Sequence, residues 1–291
     1  MTRGFLIVDK PGGITSNQVV GHVKKATGVK KVGHAGTLDP MATGVLVLAV
    51  GKVTRLIRYI QDQPKEYVAT AQFGVATDTL DADGAVLSRE PMEISEADVM
   101  DLVPRFTGAI SQVPPMVSAL KHDGRRLYEL ARQGELVERD ARQVMVHELE
   151  ILSVGPPPYP EVEFRVVCGK GTYVRSLADD MAGVLGGSAH LSALRRTRIG
   201  SLRSSAGVTI DDMENWESYF LSPAEAMADM ERIEVDAETA TAVRNGVRFV
   251  AGPLLTGPEG ESYGVVDPDG ELIAIYRRVG ERAAPEVVLP A

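Results

Sequence analysis

Two unbroken apolar runs, residues 5–8 (FLIV) and 45–50 (VLVLAV), constrain this chain more than any other feature. Both fall far short of the roughly 18 apolar residues that span a bilayer, so they read as buried strands. The opening segment, MTRGFLIVDKPGG, is too short in its apolar part for a signal peptide and reads as the first of these strands, ended by Pro11-Gly12-Gly13. Between the runs, Ser16 can cap a helix carrying Val19, Val20 and Val23, with Lys24 and Lys25 near its end and Gly28 stopping it. After the second run, a helix is expected from Lys52, with Leu56, Ile57 and Ile60 turned inward.

Further along, residues 66–73 read as a strand, and the acidic stretch 78–84 reads as a hairpin end with Asp83-Gly84 at the turn. Ser95 and Asp98 have capping-box spacing, and Val99, Leu102, Val103 and Phe106 follow at helical period. A short helix is expected over 124–132, stopped by Gly134. Residues 144–152 and 161–167 are β-rich runs on either side of the proline-laden loop 155–160, and residues 173–185 carry helical periodicity up to Gly186-Gly187. Near residues 222–235 the composition turns acidic. Residues 262–266 and 272–277, joined by Pro268-Asp269-Gly270, read as a hairpin in a small β-rich module. Strands and helices mixed without a regular βα repeat predict an α+β fold with a mixed, largely antiparallel sheet.

Charge and cysteine content narrow the classes. A single cysteine, Cys168, excludes a disulfide framework and any zinc site built on several thiolates, and suits a reducing cytoplasm. The net charge of −9 argues mildly against a polyanion as partner. Its distribution argues otherwise. Residues 1–60 carry +7 and 151–205 carry +3, whereas 61–120 carry −7, 121–150 carry −1 and 206–291 carry −11. Local fields follow the local cluster, so basic residues converging on one face can still hold a polyanion.

Several familiar motifs fail. The stretch from Gly44 to Lys52 does not match a phosphate loop, since Val53 follows the lysine. Ser118 and Lys121 match S-x-x-K, but the companion motifs of that hydrolase class are missing. The five histidines are scattered, which weakens any case for a metal site.

The most unusual stretch is 33–44 (GHAGTLDPMATG), in which three glycines, a proline and small residues surround the carboxylate of Asp39. Such a loop allows close approach of a large ligand. Pro40 restricts Asp39 to extended backbone angles and so sets the direction of its side chain.

Residues 32–46 (VGHAGTLDPMATGVL) closely resemble the catalytic motif of the bacterial tRNA pseudouridine synthase B family, enzymes that act on uridine 55 of the tRNA T loop. Other segments resemble the family in the same order: residues 9–16 (DKPGGITS), 65–67 (KEY), 112–121 (QVPPMVSALK) with 124–134 (GRRLYELARQG), and 168–178 (CGKGTYVRSLA) with 189–198 (AHLSALRRTR). The tail from about residue 235 resembles the family's PUA-like appendage only loosely.

The resemblance implies a catalytic domain over 1–230 and a PUA-like C-terminal domain over 231–291. It implies a standalone, cofactor-free isomerase, without a metal, that breaks the N1–C1′ bond of uridine and rejoins the uracil through C5. Asp39 is then the nucleophile, acting at the ribose or the base. Tyr67 stacks on the target base and assists proton movement. Arg175 pairs with the nucleophile and holds it ionised. Tyr173 and Leu194 match substrate-contact positions, and His34 matches the residue that fills the space left by the flipped base. Lys24, Lys25, Lys30, Lys31, Arg195, Arg196 and Arg198 are expected to meet phosphates. The partner implied is tRNA, through its T-stem loop, with no membrane, no obligatory protein partner, a monomeric chain and a possible accessory role in tRNA folding. Six basic against seventeen acidic residues over 206–291 make a weak RNA-binding appendage, so the catalytic domain should supply most of the RNA affinity.

Two other classes stay in view: an RNA-guided pseudouridine synthase, whose long basic extensions this chain lacks, and a catalytically silent RNA-binding or folding protein in which Asp39 is structural.

Overall fold

The two apolar runs are neighbouring strands with both faces covered. A computed structural model describes residues 3–118, 121–122, 124–127, 130, 133, 135, 137–250 and 257–290. It divides into two units, Met1–Pro40 with Gly44–Asp62 and Ile199–Ala291, and Met41–Thr43 with Gln63–Arg198.

In the first unit, β1 (Gly4–Lys10), α1 (Ser16–Thr27), β2 (Val32–His34) and β3 (Thr43–Val50) follow in order. β1 pairs antiparallel with β3, Gly4 opposite Val50 and Lys10 opposite Gly44, and β2 pairs with the distal half of β3. Strand side chains alternate between faces. Leu6, Val8, Leu46, Leu48 and Val50 therefore pack with Val19, Val20 and Val23 of α1. Phe5, Ile7, Val45, Val47 and Ala49 pack in a second cluster with Val266, Leu272, Ile275, Val287 and Leu289. A strand buried on both faces has no polar position to spare, hence the unbroken runs.

Two local expectations change. The residue that caps α1 is Thr15: its hydroxyl accepts from the Gln18 amide at 3.2 Å, and the Gln18 side chain accepts from the Thr15 amide at 2.7 Å. Ser16 is already helical and buried. The helix expected from Lys52 begins as a 3₁₀ turn, Gly51–Leu56, and becomes α2 only over Ile57–Asp62.

The second unit holds β4 (Lys65–Phe73), β5 (Val75–Thr77), β6 (Val86–Arg89), α3 (Glu96–Met100), β7 (Gly108–Gln112), β8 (Lys121–His122), β9 (Arg125–Arg126), β10 (Arg142–Val154), β11 (Glu161–Cys168), α4 (Val174–Val184) and β12 (Ala189–Ile199). Its main strands lie in the order β12-β4-β11-β10-β7, antiparallel at the pairs β4–β11, β11–β10 and β10–β7. The helix α4 lies against β4 and buries Val174, Leu177, Ala178 and Met181. The expected hairpin at 78–84 joins β5 to β6, and Ser95 caps α3 with Asp98. The helix expected over 124–132 falls partly outside the described residues. Within them, Arg125–Arg126 pairs with Lys121–His122, the chain reversing at Gly124 with φ of 84°.

The chain then returns to the first unit through β13 (Leu202–Arg203), β14 (Phe220–Leu221), α5 (Pro223–Ala226), β15 (Arg232–Glu234), α6 (Ala237–Arg244), β16 (Phe249–Val250), β17 (Ser262–Val266), β18 (Leu272–Val279) and β19 (Arg282–Val288). β14 pairs with β1. The last five strands form a separate sheet, β15-β17-β18-β19-β16, parallel only at β15–β17. One face packs on Ala240 and Val243 of α6, through Tyr263, Val265, Ile273 and Tyr276. The other enters the core of β1 and β3. A polar fastening joins them: Glu286 accepts from the Tyr59 hydroxyl at 2.9 Å and the Ser262 hydroxyl at 2.6 Å, beside Arg58 and Arg277. The architecture is α+β and largely antiparallel, with a C-terminal β module. Among the described residues no helix is long and apolar enough to cross a membrane.

Candidate active site

The loop bearing Asp39 hangs between β2 and β3. His34, half-buried, ends β2 opposite Leu48, and the Ala35 amide donates to the Val47 carbonyl at 2.8 Å. Beyond it the backbone turns at Gly36, with φ of 121°, a conformation closed to most residues with a side chain. Ala35, Leu38 and Ala42 are buried, so apolar pegs hold the loop while Asp39 stays half-buried.

Both neighbours of Asp39 are anchored through their backbones by the segment 9–16. The Ser16 hydroxyl accepts from the Leu38 amide at 2.9 Å and donates to the Leu38 carbonyl at 3.2 Å. The Pro40 carbonyl accepts from the Gly13 amide at 2.9 Å and from the Lys10 ammonium at 3.0 Å. Lys10 is fully buried and also donates to the Pro11 carbonyl at 2.8 Å. The segment that looked like a strand end and helix cap is thus a clasp for the loop.

In the second unit, Tyr67 stands half-buried on β4 opposite Val166. Tyr173 caps α4, and Gln112 grips its backbone twice, accepting from its amide at 2.8 Å and donating to its carbonyl at 3.0 Å. Arg175 follows in the first turn of α4 and is only 3% exposed. Its Nη1 donates to the Thr79 carbonyl at 2.7 Å and pairs with the Asp81 carboxylate at 3.1 Å, and its Nη2 donates to the Val117 carbonyl at 2.8 Å. Asp81, 4% exposed, also accepts from the Thr79 hydroxyl at 2.5 Å and the Asp83 amide at 3.2 Å. A buried cation of this kind needs a carboxylate and carbonyl oxygens to replace its lost water. Sequence reading saw residues 78–84 only as a hairpin end and missed Asp81. A carboxylate inside a turn-like acidic run carries no local sign that a helix far along the chain will claim it.

β12 places Leu194 and Arg196 two residues apart, both buried, Arg196 to 2% exposure. Alternation along the strand turns Arg196 inward, so its expected place among phosphate contacts is corrected. Arg198 pairs with Glu66 at 3.1 Å, where Thr197 also donates at 2.7 Å. Burial acts to raise the Glu66 carboxyl, but these bonds outweigh it and hold it below its ordinary value. Arg195 remains half-exposed and reaches the Thr43 hydroxyl at 3.4 Å. Lys24, Lys25, Lys30 and Lys31 are exposed at and beyond the end of α1. Cys168, at the end of β11, is buried. Burial pushes its thiol up to about 11, despite the Thr172 hydroxyl, Lys65 and Arg196, so it is no nucleophile at neutral pH. Among the described residues no group of three or more His, Cys, Asp or Glu side chains is arranged to hold a metal ion.

Residues 24–174 match the TruB family pseudouridylate synthase N-terminal domain, 175–233 the tRNA pseudouridylate synthase B C-terminal domain, and 230–290 the tRNA pseudouridine synthase II C-terminal region. The chain is 47% identical to tRNA pseudouridine synthase B of Symbiobacterium thermophilum over 84% of its length and 82% of that protein's. It is 43% identical to the protein of the same name from Thermobifida fusca, over 99% of both. Among solved structures, a chain of a Cbf5–Nop10–Gar1 complex superposes with a TM-score of 0.78 at 26% identity, covering 99% of this chain and 85% of that one. A glycine-hinged aspartate loop clasped by the segment 9–16, an arginine set at the start of α4 and near-full-length likeness lead to one assignment: the chain belongs to the TruB family of pseudouridylate synthases.

Proposed function

We propose that this protein is a tRNA isomerase converting uridine 55 of the T loop to pseudouridine, with Asp39 as nucleophile. The observation that carries the reading is the two-sided anchoring of the Asp39 backbone by Ser16, Gly13 and Lys10. A loop that only reversed the chain would gain little from a buried lysine and a buried serine fixing both flanks of one carboxylate. Holding a nucleophile in an attack-ready direction supplies part of the rate acceleration through orientation.

The chemistry follows from that placement. The target uridine is flipped out of the T loop, at a few kcal/mol of unstacking, and His34 fills the vacated space. Asp39 attacks at the ribose or the base, the N1–C1′ bond breaks, and the uracil turns and rejoins through C5. The bond to Asp39 then breaks, the C5 proton leaves and N1 takes one up, so the product is an isomer of the substrate. Tyr67 stacks on the base and assists proton movement, Tyr173 and Leu194 contact the nucleotide, and Arg175 holds Asp39 ionised. Exposed Lys24, Lys25, Lys30 and Lys31, with Arg195, meet phosphates. The enzyme works as a monomer in the cytoplasm without metal, redox cofactor or protein partner. The split is a catalytic domain over 1–230 and a PUA-like module over 231–291. Binding and flipping also assist tRNA folding.

The test is an incubation of the purified protein, without metal or cofactor, with an unmodified tRNA transcript, followed by chemical mapping of pseudouridine. The wild type should modify position 55 and Asp39→Asn should not. An inactive wild type, or an undiminished variant, sinks the assignment. His34→Ala should slow modification more than it weakens tRNA binding. Reversing charge at Lys24 and Lys25 should flatten the salt dependence of binding.

A further inference from the structure

The residue that drew attention as half of a failed hydrolase motif returns for another reason. Ser118 is 6% exposed, and its hydroxyl has no hydrogen-bond partner among the described residues. A buried hydroxyl without a partner costs about 1–3 kcal/mol, so a folded protein rarely keeps one by accident.

Its position gives the hydroxyl a use. Residues 112–118 form a strap along the start of α4, fastened at successive points by Tyr173, Ser176, Arg139 and Arg175. Gln112 grips the backbone of Tyr173. The Ser176 hydroxyl donates to the Val113 carbonyl at 3.1 Å. Arg139 donates to the Pro114 carbonyl at 2.8 Å, and Arg175 donates to the Val117 carbonyl. Ser118 stands one residue beyond that last carbonyl. The Val117 carbonyl is taken up by Arg175, whereas the Ser118 hydroxyl, on the next residue, meets no partner among the described residues. Apolar packing could fill the space with alanine and avoid the penalty altogether.

We propose that the Ser118 hydroxyl is a substrate-positioning group, without a partner among the described residues of the free protein and paired with a ribose or base oxygen of the target nucleotide when RNA enters. This rests on the reading of the site above. The unpaired hydroxyl disfavours the closed strap, which lowers the cost of the local shift at residues 117–118 that brings it to the RNA. Because the same peptide supplies the Val117 carbonyl to Arg175, entry of substrate and the setting of that guanidinium are linked.

The experiment compares wild type, Ser118→Ala and Ser118→Cys in thermal unfolding, in tRNA affinity and in single-turnover pseudouridine formation on an unmodified transcript. Both variants should unfold at or above the wild-type temperature, since a costly hydroxyl has gone. Both should lose about threefold to tenfold in single-turnover rate or RNA affinity, the worth of one hydrogen bond. Wild-type kinetics in both variants overturns the proposal, as does a clear drop in unfolding temperature, which means that the hydroxyl is already paired in the free protein. An inactive wild type instead overturns the assignment of the reaction, and the affinity comparison then decides whether Ser118 touches RNA.

Discussion

The Asp39 loop and the Arg175 turn are held by different physics. Asp39 is fixed through its neighbours: a hydroxyl on Leu38, an amide and an ammonium on Pro40, all from residues 10–16. Arg175 is fixed through its own charged head, by a buried carboxylate and by carbonyls at Thr79 and Val117, drawn from two distant segments. The proposed nucleophile has to present its carboxylate to substrate, so restraint is placed on the backbone beside it. A guanidinium that orients other groups can be gripped directly, and its buried charge requires such a grip.

The largest effect should come from cutting the charged grip. Asp81→Ala removes the Asp81 carboxylate from the buried Arg175 guanidinium and should cost about 3–5 kcal/mol in urea unfolding. A loss under about 1 kcal/mol would place Asp81 outside the support of Arg175 and erase the contrast. Ser16→Ala tests the other side. Losing both bonds to Leu38 should cost about 1–3 kcal/mol and slow pseudouridine formation about tenfold to a hundredfold, because the nucleophile is no longer aimed. Its neighbour sharpens the point. Thr15→Ala removes only the cap of α1 and should cost about 1 kcal/mol with turnover unchanged, so the two adjacent hydroxyls should separate stability from aim.

The smallest effect lies at a third fastening, where the C-terminal module meets α2. Burial acts to raise the Glu286 carboxyl, but the Ser262 and Tyr59 hydroxyls, with Arg58 and Arg277, hold it below its ordinary 4.5. As pH falls, the unfolded chain therefore takes up this proton first. The stabilisation is present above about pH 4.5 and is lost as pH falls through the folded value. Unfolding temperature measured from pH 6 down to 3 should fall less steeply for Glu286→Gln than for the wild type. Equal slopes would leave the module held by its apolar face alone.

The local elements were legible because their causes are local. Gly28 ends α1 in a left-handed conformation, Ser95 and Asp98 form the expected capping box, and 262–266 with 272–277 form the expected hairpin. Asp39 stood out because three glycines and a proline around one carboxylate already describe an exposed, directed loop. Failures came where a side chain serves something far away. Ser16 has the residue type of a helix cap, but its hydroxyl is spent on Leu38, 22 residues on. Arg196 belongs to a basic run, but strand alternation buries it.

The C-terminal module shows the same division. Its acidic composition and β pattern could be read from the chain, and they suggest an appendage. Yet Val266, Leu272, Ile275, Val287 and Leu289 complete the core under β1 and β3. The sequence by itself determined which residues are apolar, where the chain turns and which carboxylate sits in a directed loop, since periodicity, caps and turn residues act within a few positions. Tertiary structure alone decided which face each strand turns to which partner, that Asp81 answers Arg175 and that Ser16 answers Leu38. Those pairings cost chain entropy to bring together and are repaid only by burial and hydrogen bonding in the finished fold, so no local pattern records them.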